Sequence, residues 1–283
     1  MLREKKIGII GAGNMGGALI NGLIHYSGVP KKNIICADAS DAQLSGIREK
    51  FGISTTRQNA DAVRDADIII YAVKPQILAG VLRETQGLLD MEKLVISVAA
   101  GISIAAMEQV LGKARRIIRV MPNVAVSVRE GATAISPGGN ATEMDIDLAR
   151  TIFDSLGKTV VVTEGPMMDA VTGLSGSGPA YVFLMAEALS DAGVKTGLSR
   201  KDAQLLAAQT LLGAARMLVE TGDHPAVLKD QVTSPGGTTI FGLHALEQGR
   251  FRAAVINAVE TAARRSKELG EAVMGQFSEG GTP

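Results

Sequence analysis

Three glycines near the start of the chain have the spacing of a phosphate-binding turn. The apolar run Ile7–Ile10 passes into Gly11-Ala-Gly-Asn-Met-Gly16, and a helical pattern follows. In a strand–turn–helix unit, Gly11 permits the tight turn, Gly13 lets a pyrophosphate approach the backbone, and Gly16 lets the helix pack closely on the strand. The N–H groups and the dipole at the helix N-terminus attract the phosphates. The motif predicts a dinucleotide site that includes Gly11, Gly13, Asn14, Met15 and Gly16.

Three further loops follow apolar runs. They are Ala72-Val73-Lys74-Pro75, Ala99-Ala100-Gly101 and Met121-Pro122-Asn123. We interpret Lys74 as a phosphate contact or a solvated side chain, Ala100 as a close approach to ribose or nicotinamide, and Asn123 as a partner for the nicotinamide carboxamide. Each loop alone is compatible with an ordinary turn. Because the carboxyl ends of parallel strands share one edge of a sheet, the loops together predict a binding crevice.

Two other segments are rich in glycine and hydroxyl side chains. Leu174–Tyr181, which includes Ser177 and Pro179, precedes a long helical pattern and predicts a tight backbone approach to a ligand or another element. Val232–Ile240 combines two glycines with several serine and threonine residues at a helix start, and backbone N–H groups there would hold a carboxylate. A loop in which serine or threonine caps the helix is the simpler alternative. The two interpretations are compatible, and the density of glycine and threonine favours the anion site.

Other catalytic chemistries have little support. The histidines are His25, His224 and His244, and none has metal-ligand spacing to another histidine or to cysteine, so we expect no metal site. We expect His25 to interact with a helix C-terminus and His224 to cap a turn. The chain contains no Gly-x-Ser-x-Gly elbow, which argues against an α/β-hydrolase.

Composition excludes several classes of partner. Lys+Arg and Asp+Glu both number 29 and aromatic residues make up 3%, so we expect no nucleic-acid partner. No apolar stretch has the length of a membrane span, and the charged segment Met1–Lys6 does not have a signal-peptide pattern. The single cysteine, Cys36, fits a reducing compartment. These observations predict a cytoplasmic protein without membrane association.

The order of the elements predicts an α/β fold with two domains. Seven apolar runs, most of them separated by helical patterns, are typical of a largely parallel sheet. They lie near Lys6–Ile10, Ile34–Asp38, Asp67–Ala72, Leu94–Ser97, Arg116–Val120, Ala132–Ser136 and Thr159–Thr163. After Glu164-Gly-Pro166 long helical patterns follow. We predict a dinucleotide-binding domain over residues 1–164 and an all-α domain over residues 165–283, with a disordered tail at Ser278–Pro283.

The helical pattern Ser199–Glu220 is apolar on more than one side. One face comprises Ala203, Leu206, Ala207, Thr210, Ala214, Met217 and Leu218. Another side carries Leu205, Leu212 and Val219. A helix that is apolar on several sides needs several covering partners. We therefore predict an intimate homodimer through this domain, with a self-sufficient helical bundle as the alternative.

Taken together, the motifs resemble those of the pyrroline-5-carboxylate reductase family from Gly8 to about Gly270. The matching segments are Gly11–Gly16, Ala72–Pro75, Val120–Asn123, Ser175–Tyr181, His224–Asp230 and, most specific of all, Asp230–Ile240. The resemblance implies a Rossmann-like N-terminal domain, a helical dimerisation domain and an active site shared between subunits. It also implies further assembly, commonly into decamers.

The implied reaction is hydride transfer from NAD(P)H to the C=N bond of 1-pyrroline-5-carboxylate, which gives L-proline in the last step of proline biosynthesis. Such a reaction needs little acid–base machinery because a protonated imine is already electrophilic. The resemblance implies that the substrate binds Ser234, Gly236, Gly237, Thr238 and Thr239. Thr239 matches the threonine that bonds the ring nitrogen in the family, and is the implied catalytic residue.

Asp38 departs from the pattern of many family members, which have residues suited to the NADP phosphate at this position. It lies 22 residues after Gly16, where an acidic side chain usually binds the free ribose hydroxyls of NAD. A carboxylate would also repel a 2′-phosphate. The sequence therefore predicts a preference for NADH.

Two alternatives stay open at this point. A β-hydroxyacid-type dehydrogenase with the same fold would require a lysine base, and Lys195 and Lys201 lie near predicted helix ends without the expected glycine context. A non-catalytic NAD(P)-binding redox sensor would not need the anion site predicted at Val232–Ile240.

Overall fold

The computed structural model describes residues 2–277 and contains an eight-stranded sheet. Its order is β3-β2-β1-β4-β5-β6-β7-β8. Neighbouring strands are parallel except for the antiparallel pair β6 and β7. The strands are β1 (Ile7–Ile10), β2 (Ile34–Ala37), β3 (Ser54–Thr56), β4 (Ile68–Tyr71), β5 (Leu94–Ser97), β6 (Arg116–Met121), β7 (Gly131–Pro137) and β8 (Gly157–Val161). The predicted α/β fold with a largely parallel sheet is confirmed, and β3 is a strand that the sequence analysis missed.

Helices cover both faces of the sheet because its central strands are apolar on both sides. In β4, Ile68 and Ile70 belong to one core, whereas Ile69 and Tyr71 belong to the other. The helices of this region are α1 (Asn14–His25), α2 (Asp41–Phe51), α3 (Asn59–Arg64), α4 (Pro75–Thr85), α5 (Ile104–Leu111), α6 (Glu143–Asp154) and α7 (Pro166–Val171). The first core packs against α1, α2 and α6, and the second against α3, α4 and α5.

After β8 the described chain is helical. The remaining helices are α8 (Gly178–Lys195), α9 (Arg200–Thr221), α10 (Pro225–Gln231), α11 (Thr238–Gln248) and α12 (Phe251–Met274). Ser199 caps the start of α9, since its Oγ accepts the Asp202 N–H at 3.1 Å, and Gly222, which follows the end of the helix, has a left-handed backbone. Within residues 2–277, no helix is long and apolar enough to cross a bilayer.

The compact units of the chain do not coincide with the predicted boundary after residue 164. One unit comprises residues 2–177 and 260–277, and the other comprises residues 178–259. The difference arises because Met168 of α7 is buried with Met121 and Ala134 of the sheet, so α7 stays with the first unit. The second half of α12 also belongs there, and Ser266 Oγ donates to Asp169 Oδ1 at 2.7 Å. The predicted tail, Ser278–Pro283, lies outside the described residues.

The helical unit leaves most of its apolar side chains uncovered. Of the apolar face predicted on α9, only Ala203 and Ala207 are buried, whereas Leu206 and Met217 are 53% and 44% exposed. Leu205, Leu212 and Val219 on the other side are 67%, 51% and 72% exposed. Exposed apolar area on this scale marks an interaction surface.

We expect the double variant Leu206→Glu, Met217→Glu to lose the dimer, because two charges would be buried without partners in an apolar interface. Light scattering after gel filtration would show a monomer or an unfolded chain. Gln204→Glu, on an exposed position of the same helix, is the control for added charge. A double variant that stays dimeric with the melting temperature of the wild type would contradict the assignment of this face.

Candidate functional site

The order of the strands places a switch point between β1 and β4. From β1 the sheet grows towards β2 and β3 on one side, and towards β4, β5 and β6 on the other. The helix after β1, α1, packs in one core and the helix after β4, α4, packs in the other. In open α/β sheets, a crevice for ligands forms at the carboxyl ends of the strands at such a point.

The glycine turn after β1 is closed by backbone contacts. Gly11 has φ of 110°, and a Cβ there would collide with the Ala72 carbonyl after β4. A Cβ on Gly16 would collide with the Gly11 carbonyl. At Gly13, by contrast, a Cβ would meet no atom of the described chain within 4 Å. Gly13 therefore lines a cradle that a side chain would fill.

The first turn of α1 has the properties of a phosphate site. Gly13 is the N-cap residue, and no side chain of the described chain caps it. The first N–H groups of a helix have no partner within the helix, so they are free to bind an anion beside Gly13. The residues present thus fit the pyrophosphate of a dinucleotide.

A cleft of about 710 Å³ runs beside this turn. It brings together four of the predicted site residues, Gly13, Asn14, Met15 and Asn123, and it is also lined by Gly176. Gly11, Gly16, Asp38, Ala72, Val73, Lys74, Pro75, Ala100 and Ser177 do not line it, and Pro179 belongs to the other unit.

The loop after β4 forms the start of α4. Lys74 is the exposed N-cap residue and Pro75 the first helical residue, while the Ala72 N–H donates to the Ile10 carbonyl at 2.8 Å. As at α1, no side chain of residues 2–277 caps this helix. Two uncapped helix starts therefore flank the switch point.

Asp38 is bonded directly to the glycine turn. Its Oδ2 accepts the Ala12 N–H at 2.7 Å, and its Oδ1 accepts the Ser40 N–H at 2.8 Å. Each carboxylate oxygen can accept a further hydrogen bond, as from a ribose hydroxyl. Burial, and secondarily the charge of Asp38, raises the pKa of Cys36 to about 12, so this thiol stays protonated.

The Asn123 side chain has partners within the chain. Its Oδ1 accepts the N–H groups of Ala125 and Ala132 at 3.2 and 3.3 Å, and its Nδ2 donates to the Ser175 carbonyl at 3.1 Å. Ser175 lies in a π-helical turn, Thr172–Gly176, that the sequence analysis did not predict. Asn123 therefore fixes the π-turn against the loop after β6. The sequence interpretation, in which its amide faces nicotinamide, did not include these bonds.

The sequence analysis also missed a buried ion pair. Arg119 of β6 is 4% exposed, and its Nη1 lies 2.6 Å from Glu164 Oε1. Glu164 Oε1 also accepts the N–H of Ile104, the first residue of α5, at 3.3 Å. The only signal in the sequence is a second arginine inside a strand that is apolar after its first residue, Arg116. Among the described residues, no cluster of histidine, cysteine and carboxylate side chains could hold a metal ion.

The second unit contains the predicted anion loop. Gly237 is the N-cap residue of α11, Gly236 has φ of 66°, and the Gly237 N–H donates to the Ser234 carbonyl at 3.1 Å. Despite the neighbouring hydroxyls, no side chain in residues 2–277 caps α11. Elsewhere Ser40, Ser103 and Thr142 cap their helices, and His224 Nδ1 accepts the Ala226 N–H as predicted for a cap.

Comparison with protein families gives two matches. The model described as "NADP oxidoreductase coenzyme F420-dependent" matches residues 6–101, and the model described as "Pyrroline-5-carboxylate reductase dimerisation" matches residues 166–269. Together with the switch point and the glycine turn, they define an NAD(P)H-dependent oxidoreductase with a Rossmann-type domain and a helical dimerisation region.

Individual relatives agree over almost the whole chain. Pyrroline-5-carboxylate reductase of Methanosarcina acetivorans is 50% identical over 95% of this chain and 100% of its own length, and that of Arabidopsis thaliana is 46% identical over 94% and 96%. A solved pyrroline-5-carboxylate reductase from Coxiella burnetii is 39% identical, with a TM-score of 0.90 over 94% of this chain and 98% of its own. The chain belongs to the pyrroline-5-carboxylate reductase family.

We expect Gly13→Ala to fold normally and to bind dinucleotide about tenfold more weakly, a loss of roughly 1.4 kcal/mol, because the methyl group enters the cradle. Fluorescence titration with NADH and NADPH and a thermal melt would measure the two quantities. Gly80→Ala, which also meets no atom of the described chain within 4 Å, is the matched control. Wild-type affinity in Gly13→Ala would place the pyrophosphate elsewhere.

Proposed function

We propose that this protein reduces the C=N bond of 1-pyrroline-5-carboxylate to give L-proline. The observation that carries the proposal is the start of α11, where the N-cap residue Gly237 leaves the first backbone N–H groups of the helix uncapped beside serine and threonine hydroxyls. A helix start of this kind suits the carboxylate of a small substrate. It is a second anion site in addition to the one at the glycine turn. A redox sensor would not need it.

NAD(P)H, when bound, supplies the hydride that adds to the imine carbon. We propose that Gly11, Gly13, Asn14, Met15 and Gly16 hold its pyrophosphate and that Ala72, Val73, Lys74, Pro75, Ala100, Ser177 and Pro179 complete its site. Asn123 acts there by positioning the π-turn. We further propose that residues 1–164 form the dinucleotide-binding domain and residues 165–283 the substrate-binding and dimerisation domain, with Ser177 and Pro179 as the cofactor contacts that the second domain contributes.

For the substrate, we propose that Ser234, Gly236, Gly237 and Thr238 bind the carboxylate. Thr239, in the first turn of α11, is positioned on the same helix start. Its hydroxyl would bond the ring nitrogen and favour the protonated imine, which is the electrophilic form. Orientation of the dinucleotide relative to the imine carbon then accounts for most of the rate enhancement.

The first experiment is the initial rate of NADH and NADPH oxidation with 1-pyrroline-5-carboxylate. Rapid turnover with either cofactor is the expected result. Folded dimer that turns over neither cofactor would favour another imine or a hydroxyacid substrate. For the hydroxyacid alternative, Lys195 ends α8 and Lys201 lies in the first turn of α9, and no further observation favours either as a base.

We expect Thr239→Ala to lower kcat about 100-fold, because a group that assists protonation is removed. The dissociation constant of the dinucleotide should not change. Thr239→Ser keeps the hydroxyl and should retain most of the activity. Steady-state kinetics with a parallel binding titration would separate the effects, and unchanged kcat in the alanine variant would remove Thr239 from the mechanism.

We also propose a preference for NADH, because the Asp38 carboxylate would lie near a 2′-phosphate. The related pyrroline carboxylate reductase of Plasmodium falciparum was solved with NADP bound. It is 36% identical, with a TM-score of 0.84 over 95% of this chain and 99% of its own. Our proposal of an NADH preference in this chain therefore depends on Asp38. Comparing kcat/KM for NADH and NADPH would decide it.

We expect Asp38→Ser to shift the ratio of these constants towards NADPH. Asp38→Asn is the matched control, since it removes the charge and keeps a side-chain acceptor for the Ala12 N–H. If charge sets the preference, both variants shift the ratio in the same direction. An NADPH preference in the wild type would contradict the proposal.

Two further expectations, on assembly and on location, extend the proposal. The dimer would assemble further, into a decamer or another larger oligomer, which light scattering would measure. We also propose a cytoplasmic location, for which the single buried thiol, Cys36, is the supporting observation.

A further inference from the structure

The end of the described chain returns to the sheet. Phe277 is 1% exposed and belongs to the core that contains α4 and α5. Val273 and Met274 pack against the same core, and Ser103 Oγ lies 3.9 Å from the Met274 sulfur. The two matched family models end at residues 101 and 269, so neither of them covers this segment.

The same segment makes a close backbone contact with the turn after β5. A Cβ on Gly270 of α12 would lie 2.8 Å from the Gly101 carbonyl oxygen. Gly101 itself has φ of 75°, and a Cβ there would lie 3.7 Å from the Gly270 nitrogen. Glycine is disfavoured in a helix interior, and here it permits a helix to touch a turn directly.

The turn is held from its other end as well. Ser103 caps α5, and Glu164, paired with Arg119, accepts the Ile104 N–H. Ala100 precedes all of these contacts and is exposed, whereas Ala99 before it is buried and its N–H donates to Ser97 Oγ at 3.3 Å. The backbone around Ala100 is therefore fixed on both sides.

We propose that the end of α12 is a brace that sets the position of the Ala100–Gly101 turn for the dinucleotide, with Gly270 as a positioning residue. The proposal rests on the proposed function, in which Ala100 contacts the cofactor. Gly270 acts through the turn and does not itself touch the ligand. A shift of the turn by a few tenths of an ångström would change cofactor affinity and leave the core intact.

The test compares Gly270→Ala with Gly275→Ala. The two variants carry the same change in one segment, but a Cβ on Gly275 meets no atom of the described chain within 4 Å. We expect Gly270→Ala to raise the dissociation constants of NADH and NADPH about five- to tenfold, measured by fluorescence without substrate. Gly275→Ala should bind like the wild type. Both variants should keep the wild-type melting temperature and the wild-type KM for 1-pyrroline-5-carboxylate.

Wild-type dinucleotide affinity in Gly270→Ala would overturn the brace, as would an equal loss of affinity in both variants. If Gly270→Ala does not fold, the variant Phe277→Leu replaces it in the test of the brace. Faster hydrogen exchange in residues 98–104 together with weaker binding would support the brace, and unchanged exchange would overturn it. Because binding is measured without substrate, failure of the brace is distinguishable from absence of reductase activity in the wild type.

Discussion

The carbonyl oxygens of Gly11 and Ala72 lie so close to neighbouring backbone that the turn after β1 has no room for side chains at Gly11 and Gly16. This crowding joins β1, β4 and α1 at one point and sets the direction in which α1 leaves the sheet. The uncapped start of α1, at Gly13, Asn14 and Met15, lines the cleft. Asp38 adds a second restraint through the Ala12 N–H, so the turn is fixed without a ligand.

In the proposed function, anion binding depends on helix geometry more than on charged side chains. The starts of α1, α4 and α11 lack side-chain caps among the described residues, whereas serine or threonine caps α2, α5, α6 and α9. The short helices α3 and α7 also lack side-chain caps, so a missing cap is compatible with the assignment of α1, α4 and α11 to ligands but does not by itself make it. A free helix start offers directed N–H groups, which position an anion without the conformational freedom of lysine or arginine.

Strongly patterned elements were predictable from the sequence, and elements determined by tertiary contacts were not. Apolar runs such as Ile68–Tyr71 predicted the sheet, but β3 has the sequence Ser-Thr-Thr and owes its conformation to pairing with β2. The short α3 and α10 have no long apolar period. The predicted boundary after residue 164 followed the change of pattern, whereas burial of Met168 keeps α7 with the sheet. For the site, glycine spacing predicted the turn, but the Asn123 bonds depend on distant segments.

The sparse interior of the helical unit has a thermodynamic consequence. Within residues 178–259, only Ser190, Ala203 and Ala207 are buried in the single chain. Most of the free energy that holds these helices together must come from the partner in the dimer, so folding and association are one equilibrium for this region. Protein concentration is then a variable of stability, and dilution acts on the helical unit as a denaturant does on an ordinary domain.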